Sequence, residues 1–191
     1  MNVRLVRLFG YFGILAPIVG FSMIFLAIAT APWFSWTGNA LSDLGVEGVT
    51  AVLFNSGLAM TAAVMMAFSL GLYELTRGSR VGTLSFLLML AASGWLLGIG
   101  RFPETAGRIH FYFSVAFFAT LPLALAAFTV YALRTGPRWL AYLTAACGLA
   151  AAVVWAPDWN AVAIPEALSA LAVGIWSTAT GLWMIRTTRD A

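Results

Sequence analysis

The chain has 191 residues, 62% of them hydrophobic and 9% charged, with a formal charge of +3. A soluble domain of this size has no core large enough to hide that much apolar surface, so apolar runs broken by short polar ones mean membrane-spanning helices. A β-barrel is excluded by the lack of strand-like alternation, and a nucleic-acid partner by basic residues scattered at helix ends rather than gathered on one face.

The expected fold is an all-α six-transmembrane-helix bundle in one domain over residues 1–191, a multi-pass protein of the cell membrane. The first helix is expected over about 8–31. Arg4 and Arg7 precede it and "AIA" at 27–29 resembles a cleavage site, but the run is too long for a signal-peptide core, so it is read as a retained helix. The others are expected over about 50–75, 81–102, 105–133, 139–156 and 164–185. The fifth is the shortest, and Pro122 is expected to kink the fourth.

All ten basic residues are arginine. Arg4, Arg7, Arg77, Arg80, Arg134, Arg138, Arg186 and Arg189 fall on one side of these six helices, and only Arg101 and Arg108 on the other. The positive-inside bias therefore puts both termini in the cytoplasm. Asp43, Glu47, Glu104, Asp158 and Glu166 segregate to the outer side. The cytoplasmic turns "TRGSR" and "RTGPR" carry no recognisable chemistry, and the long first outer loop, "WFSWTGNALSDLGVEGVT", makes the outer side the place to look for a site. The single cysteine, Cys147, allows no internal disulfide.

Three stretches in a fixed order carry a family resemblance: "NALSDLG" after the first helix, "LFNSGL" opening the second, and "FPE" followed by a histidine at the start of the fourth. With these the chain resembles a family of hexahelical archaeal and bacterial membrane proteins catalogued as domain of unknown function number nine hundred ninety-eight. The resemblance implies the six-helix architecture and directs attention to Asp43, Asn55, Glu104 and His110. It implies no reaction.

"RFPETAGRIH", residues 101–110, gathers two arginines, a glutamate and the only histidine in ten residues. With Thr105 as the cap of helix four, His110 stands one turn inside the helix and shares a face with Ser114. An imidazole there can ligate haem iron or a metal, act as a base, or tie two helices together. Glu104 suits a helix N-terminus electrostatically, and Glu166 after Pro165 repeats that arrangement and is read as a cap. Arg101 defies the positive-inside bias, so it is expected to pair with Asp43 or Glu104 or to clamp an anionic group. Asn55 is expected to bond to the outer loop or a neighbouring helix, because an unpaired amide in an apolar helix is costly.

These residues support three functions. One is a b-type haem site, with His110 as axial ligand and the propionates at Arg101 and Arg108. A second is a lipid-acting hydrolase or transferase, with a divalent metal or a water held by Asp43, Glu104 and His110. The third is an accessory subunit without chemistry. Membrane lipids are the expected surroundings, and small-residue faces favour a homo- or hetero-oligomer. Asp43, Asn55, Arg101, Glu104 and His110 are expected to cluster at the outer end of the bundle.

Overall fold

A computed structural model describes residues 1–187, so Arg189 lies outside the described residues. Six helices follow one another: α1 Val3–Ala29, α2 Gly48–Thr76, α3 Arg80–Arg101, α4 Arg108–Thr135, α5 Arg138–Val153 and α6 Ala163–Thr187. Five are long and apolar enough to cross a membrane, and α5 is a shorter apolar helix. The chain is a helical membrane bundle.

The helix ends differ from the sequence expectation for identifiable reasons. α1 starts five residues early because the Asn2 side chain accepts a hydrogen bond from the Leu5 N–H, a ready N-cap. α4 starts three residues late. Residues Glu104–Ala106 form a separate 3-10 turn, and Gly107, at φ +64°, reverses the backbone before the helix begins. That left-handed conformation strains any residue with a Cβ. Thr105 therefore caps nothing, and His110 is the third residue of α4. α5 stops at Val153, three residues short. Its 16 residues rise about 24 Å, less than the roughly 30 Å of a bilayer core.

Around the bundle the neighbours run α1, α2, α3, α4, α5, α6 and back to α1, a closed ring. Side chains are sorted by size across α1. Gly10, Gly13, Ala16 and Gly20 are at least partly turned inward and buried, whereas Leu8, Tyr11, Leu15, Ile18 and Phe25 are exposed. Lipid is as apolar as leucine, so large side chains gain nothing by turning inward, while small ones let backbones approach. Against α6 the approach is very close: a Cβ on Gly10 would lie 2.9 Å from the Gly181 carbonyl oxygen, and one on Gly13 2.7 Å from that of Ser177.

Within the ring, the arginine-rich half is filled by Trp176 packed edge-on between Phe68 and Phe128, at ring separations of 5.7 and 5.4 Å. Polar side chains in the helices are mostly satisfied within their own turn, as in Thr61 to Gly57, Ser69 to Met65 and Thr144 to Leu140. A few cross between helices instead: Ser85 donates to the Ala124 carbonyl, Tyr131 to Leu75 and Ser169 to Ala151. The sole ion pair among the described residues, Arg77–Glu74, lies at the arginine-rich end.

Candidate functional site

At the opposite end the segment between α1 and α2 folds over the bundle, where its 3-10 turn Leu41–Gly45 is largely buried. Sequence chemistry pins it at several points. The Asp43 carboxylate accepts from the Ala40 N–H at 3.0 Å and from the Asn39 amide at 2.7 Å, closing the turn on itself. The Asn55 amide donates to the Gly45 carbonyl at 2.9 Å, fastening the turn to α2, and Gly45 leaves no room for a Cβ, which would sit 2.6 Å from the Asn55 side-chain oxygen. On the other flank the Asn39 carbonyl accepts from the Ala163 N–H at the start of α6.

Glu166 makes the longest-range of these ties. Its carboxylate accepts from the Leu41 N–H at 2.7 Å, across 125 residues of sequence, in a buried setting. The cap reading of Glu166 thus gives way to a different role: it stands in the first turn of α6 but reaches sideways to the loop. On the far side Glu104 stands beside Asp43 and Ser42. A second carboxyl nearby disfavours the charged form of Glu104. Partial burial and then the hydrogen bond and charge of Asp43 raise the Glu104 pKa above its ordinary value, with the Ser42 bond opposing.

The sign of this shift gives a prediction. A carboxyl whose folded pKa is raised contributes its stabilisation fully below the unfolded value and loses it as pH rises through the folded one. The Glu104–Asp43 contact should therefore weaken above the ordinary glutamate range. Thermal unfolding between about pH 4 and about pH 8 should show this as a loss toward the higher pH that is smaller in Glu104→Gln, which has no proton to lose. An equal pH profile in the two proteins would mean that the contact does not titrate.

His110 is 7% exposed and its Nδ1 donates to the Phe102 carbonyl at 2.8 Å, the carbonyl having no proton to give. The ring is thereby held by the end of α3, and Nε2 is left without a hydrogen-bond partner among the described residues. His110 lines a cleft of about 710 Å³. One end of the cleft is polar, with Ser42, Glu104, His110, Ser114 and Glu166. The rest is apolar: Val115, Ala119 and Pro122 of α4 face Ala152 of α5, with Phe118 and Trp155 beside them. Those two rings are 4.8 Å apart. From His110 to Pro122 the helix rises about 18 Å, so the cleft runs deep along α4. A second, apolar cavity of about 120 Å³ inside the ring shares Ser42, Ser114, Phe118 and Glu166 with it.

Of the residues singled out from sequence, Asp43, Glu104, His110 and Ser114 are brought to this end, Asp43 standing behind Glu104. Asn55 is there too, but its amide serves the loop. Arg101 and Arg108 are exposed, line no part of the cleft, and pair with no carboxylate among the described residues. Their expected pairing with Asp43 or Glu104 is corrected accordingly: Asp43 is already used by Asn39, Ala40 and Glu104. Among the described residues no group of three or more His, Cys, Asp or Glu side chains is placed to hold a metal ion. Glu166 and Trp155 are the residues the sequence reading did not place in the site. Trp155 lines the cleft, and its indole N–H is buried without a partner among the described residues.

A six-helix membrane bundle whose first outer loop is latched over one end by "NALSDLG" and by the carboxylate after "FP" matches the family model described as Protein of unknown function (DUF998), over residues 14–183. The chain belongs to this family. No curated protein and no solved structure matches it. As a DUF998 member it is a membrane protein, and the matched span takes in α2 to α5 whole, most of α1 and α6, and the polar end of the cleft. Nothing in the family description names a ligand, so the chemistry of the site is argued from its own residues.

Proposed function

We propose that this protein binds a membrane amphiphile in the cleft, with the apolar body along α4 and the head group at the polar end. The observation that carries this is the cleft's polarity gradient: carboxylates, hydroxyls and a buried imidazole at one end, alanine, valine, proline and aromatic side chains along the rest. A site of that form suits a molecule that is itself polar at one end. Ala119 and Ala152 are exposed on the bundle surface, where an apolar helix faces lipid, so the ligand enters sideways from the bilayer. By the positive-inside bias the polar end faces away from the cytoplasm and the source is the outer leaflet.

This reading is favoured over haem because of what stands at the mouth. Haem propionates need cations, but Glu104 and Glu166 line the mouth and the two nearby arginines do not. It is also favoured over a purely structural role, because a histidine needed only to tie α4 to α3 spends one ring nitrogen on the Phe102 carbonyl and has no use for a second one beside a cleft.

The test is occlusion. Ala119→Trp together with Ala152→Trp fills the apolar part of the cleft from its exposed edge, where a larger side chain has room. Native mass spectrometry of protein released from its own membranes should show an amphiphile bound to the wild type and lost from the double variant, with the thermal transition unchanged. Equal occupancy in both proteins, or a wild type that carries no amphiphile under the mildest release, would overturn the proposal.

A further inference from the structure

Resting on the reading of the cleft as an amphiphile site, we infer that the head group it takes is an ammonium. Charge is the first argument. The polar end presents the carboxyls of Glu104 and Glu166, with Asp43 directly behind Glu104, and no arginine lines it. Among the described residues none of these three acids has a cationic partner. Burying an ionised carboxylate is costly unless a cation stands beside it, and Glu166 is only 9% exposed. The protein supplies it one backbone donor, the Leu41 N–H, on one of its two oxygens.

The second argument is independent of the acids. His110 is buried, its orientation is fixed through Nδ1, and its other nitrogen meets the cleft with no partner. With Nδ1 donating to the Phe102 carbonyl, Nε2 of a ring that carries a single proton is an acceptor, which a donor on the ligand satisfies. An ammonium bearing N–H groups satisfies the imidazole and the carboxylates together, whereas a carboxylate or phosphate head satisfies neither. A third contribution comes from Phe111, the neighbour of His110 in the chain, which also lines the cleft: an aromatic face attracts a desolvated cation electrostatically.

The experiment uses the full chain in phosphatidylcholine nanodiscs and three photoreactive alkyl probes of one chain length, ending in a primary ammonium, a hydroxyl or a carboxylate. Crosslinked peptides are mapped by mass spectrometry. The ammonium probe should label residues 108–122 and 152–166 at least about tenfold more than the carboxylate probe, the size expected when a desolvated charge pair is made rather than opposed. Glu104→Gln and Glu166→Gln should each reduce that preference and the double variant should abolish it. Glutamine keeps an oxygen for the Leu41 N–H, and Glu104 lies in an exposed turn, so Glu104→Gln reports on charge even where Glu166→Gln folds poorly. Adding lysophosphatidylethanolamine as a competitor identifies the source: displacement of the ammonium probe points to an aminophospholipid head, and its failure beside effective competition by an alkylamine points to a simple amine. Equal labelling by all three probes would overturn the ammonium and leave amphiphile binding standing. Absence of cleft labelling by every probe would overturn the binding reading itself.

Discussion

Gly181→Leu should fail to close the ring, and even Gly181→Ala should lower the thermal midpoint clearly. A Cβ at 181 would overlap the Gly10 carbonyl oxygen and come within 3.5 Å of the Gly13 Cα, so the atoms in the way are backbone and have no rotamer to move to. α1 would have to retreat from α6, which is the seam that joins the first helix to the last. Overpacking of this kind costs about 1–3 kcal/mol for a methyl group and more for leucine. For a chain of this size each kcal/mol is about 2–4 °C, so Gly181→Ala should lose roughly 5 °C. Gly94→Ala is the matched control: a Cβ there meets nothing within 4 Å, and alanine favours a helix over glycine by up to about 1 kcal/mol. If both variants melt together, the α1–α6 approach is not what limits stability.

The second large effect is expected at Glu166. Glu166→Ala leaves the Leu41 N–H buried with no acceptor, at a cost of about 2 kcal/mol. The damage should be local as well as global. Hydrogen exchange at Leu41 and its neighbours in the 3-10 turn should speed up, because the turn would keep its ties to Asp43 and Asn55 but lose the one to α6. Glu166→Gln retains an acceptor oxygen and should stay close to wild type in both measurements. Fast exchange at Leu41 in the wild type would show that the bond to Glu166 does not hold the loop.

These two variants separate what builds the molecule from what could occupy it. The glycine seam closes the cylinder at the arginine-rich end, where packing is tight. At the other end α1, α2 and α3 pack on the buried loop residues Leu41 and Leu44, and the cleft opens on the α4–α5 side. α5 ends at Val153 while α4 continues alongside to Arg108, and the loop from 154 to 162 crosses the space between α5 and α6. The cleft lies beside this short helix, so its position follows from a helix length rather than from any one residue.

The amino-acid sequence by itself determined the spanning helices, their number and the sorting of arginines to one end. These follow from runs of about 20 apolar residues and from the cost of a charge in hydrocarbon, both of which are local in the chain. It also marked Asp43, Asn55, Glu104 and His110, since ionisable and amide groups beside apolar helices stand out by composition alone. Tertiary structure decided their partners. Glu166 read as a cap because its neighbours in sequence are Pro165 and the first turn of α6, yet its bond goes to Leu41, far away in the chain. Arg101 looked like the natural mate of Asp43, yet Asn39, Ala40 and Glu104 take that carboxylate, and Arg101 at the end of α3 stays in the open. His110 differed by three residues of helix, because Gly107 turned the backbone and moved the start of α4. Hydropathy acts along the chain and can be read there; hydrogen-bond partners are fixed by which helix ends meet in space, and closing the ring decided that.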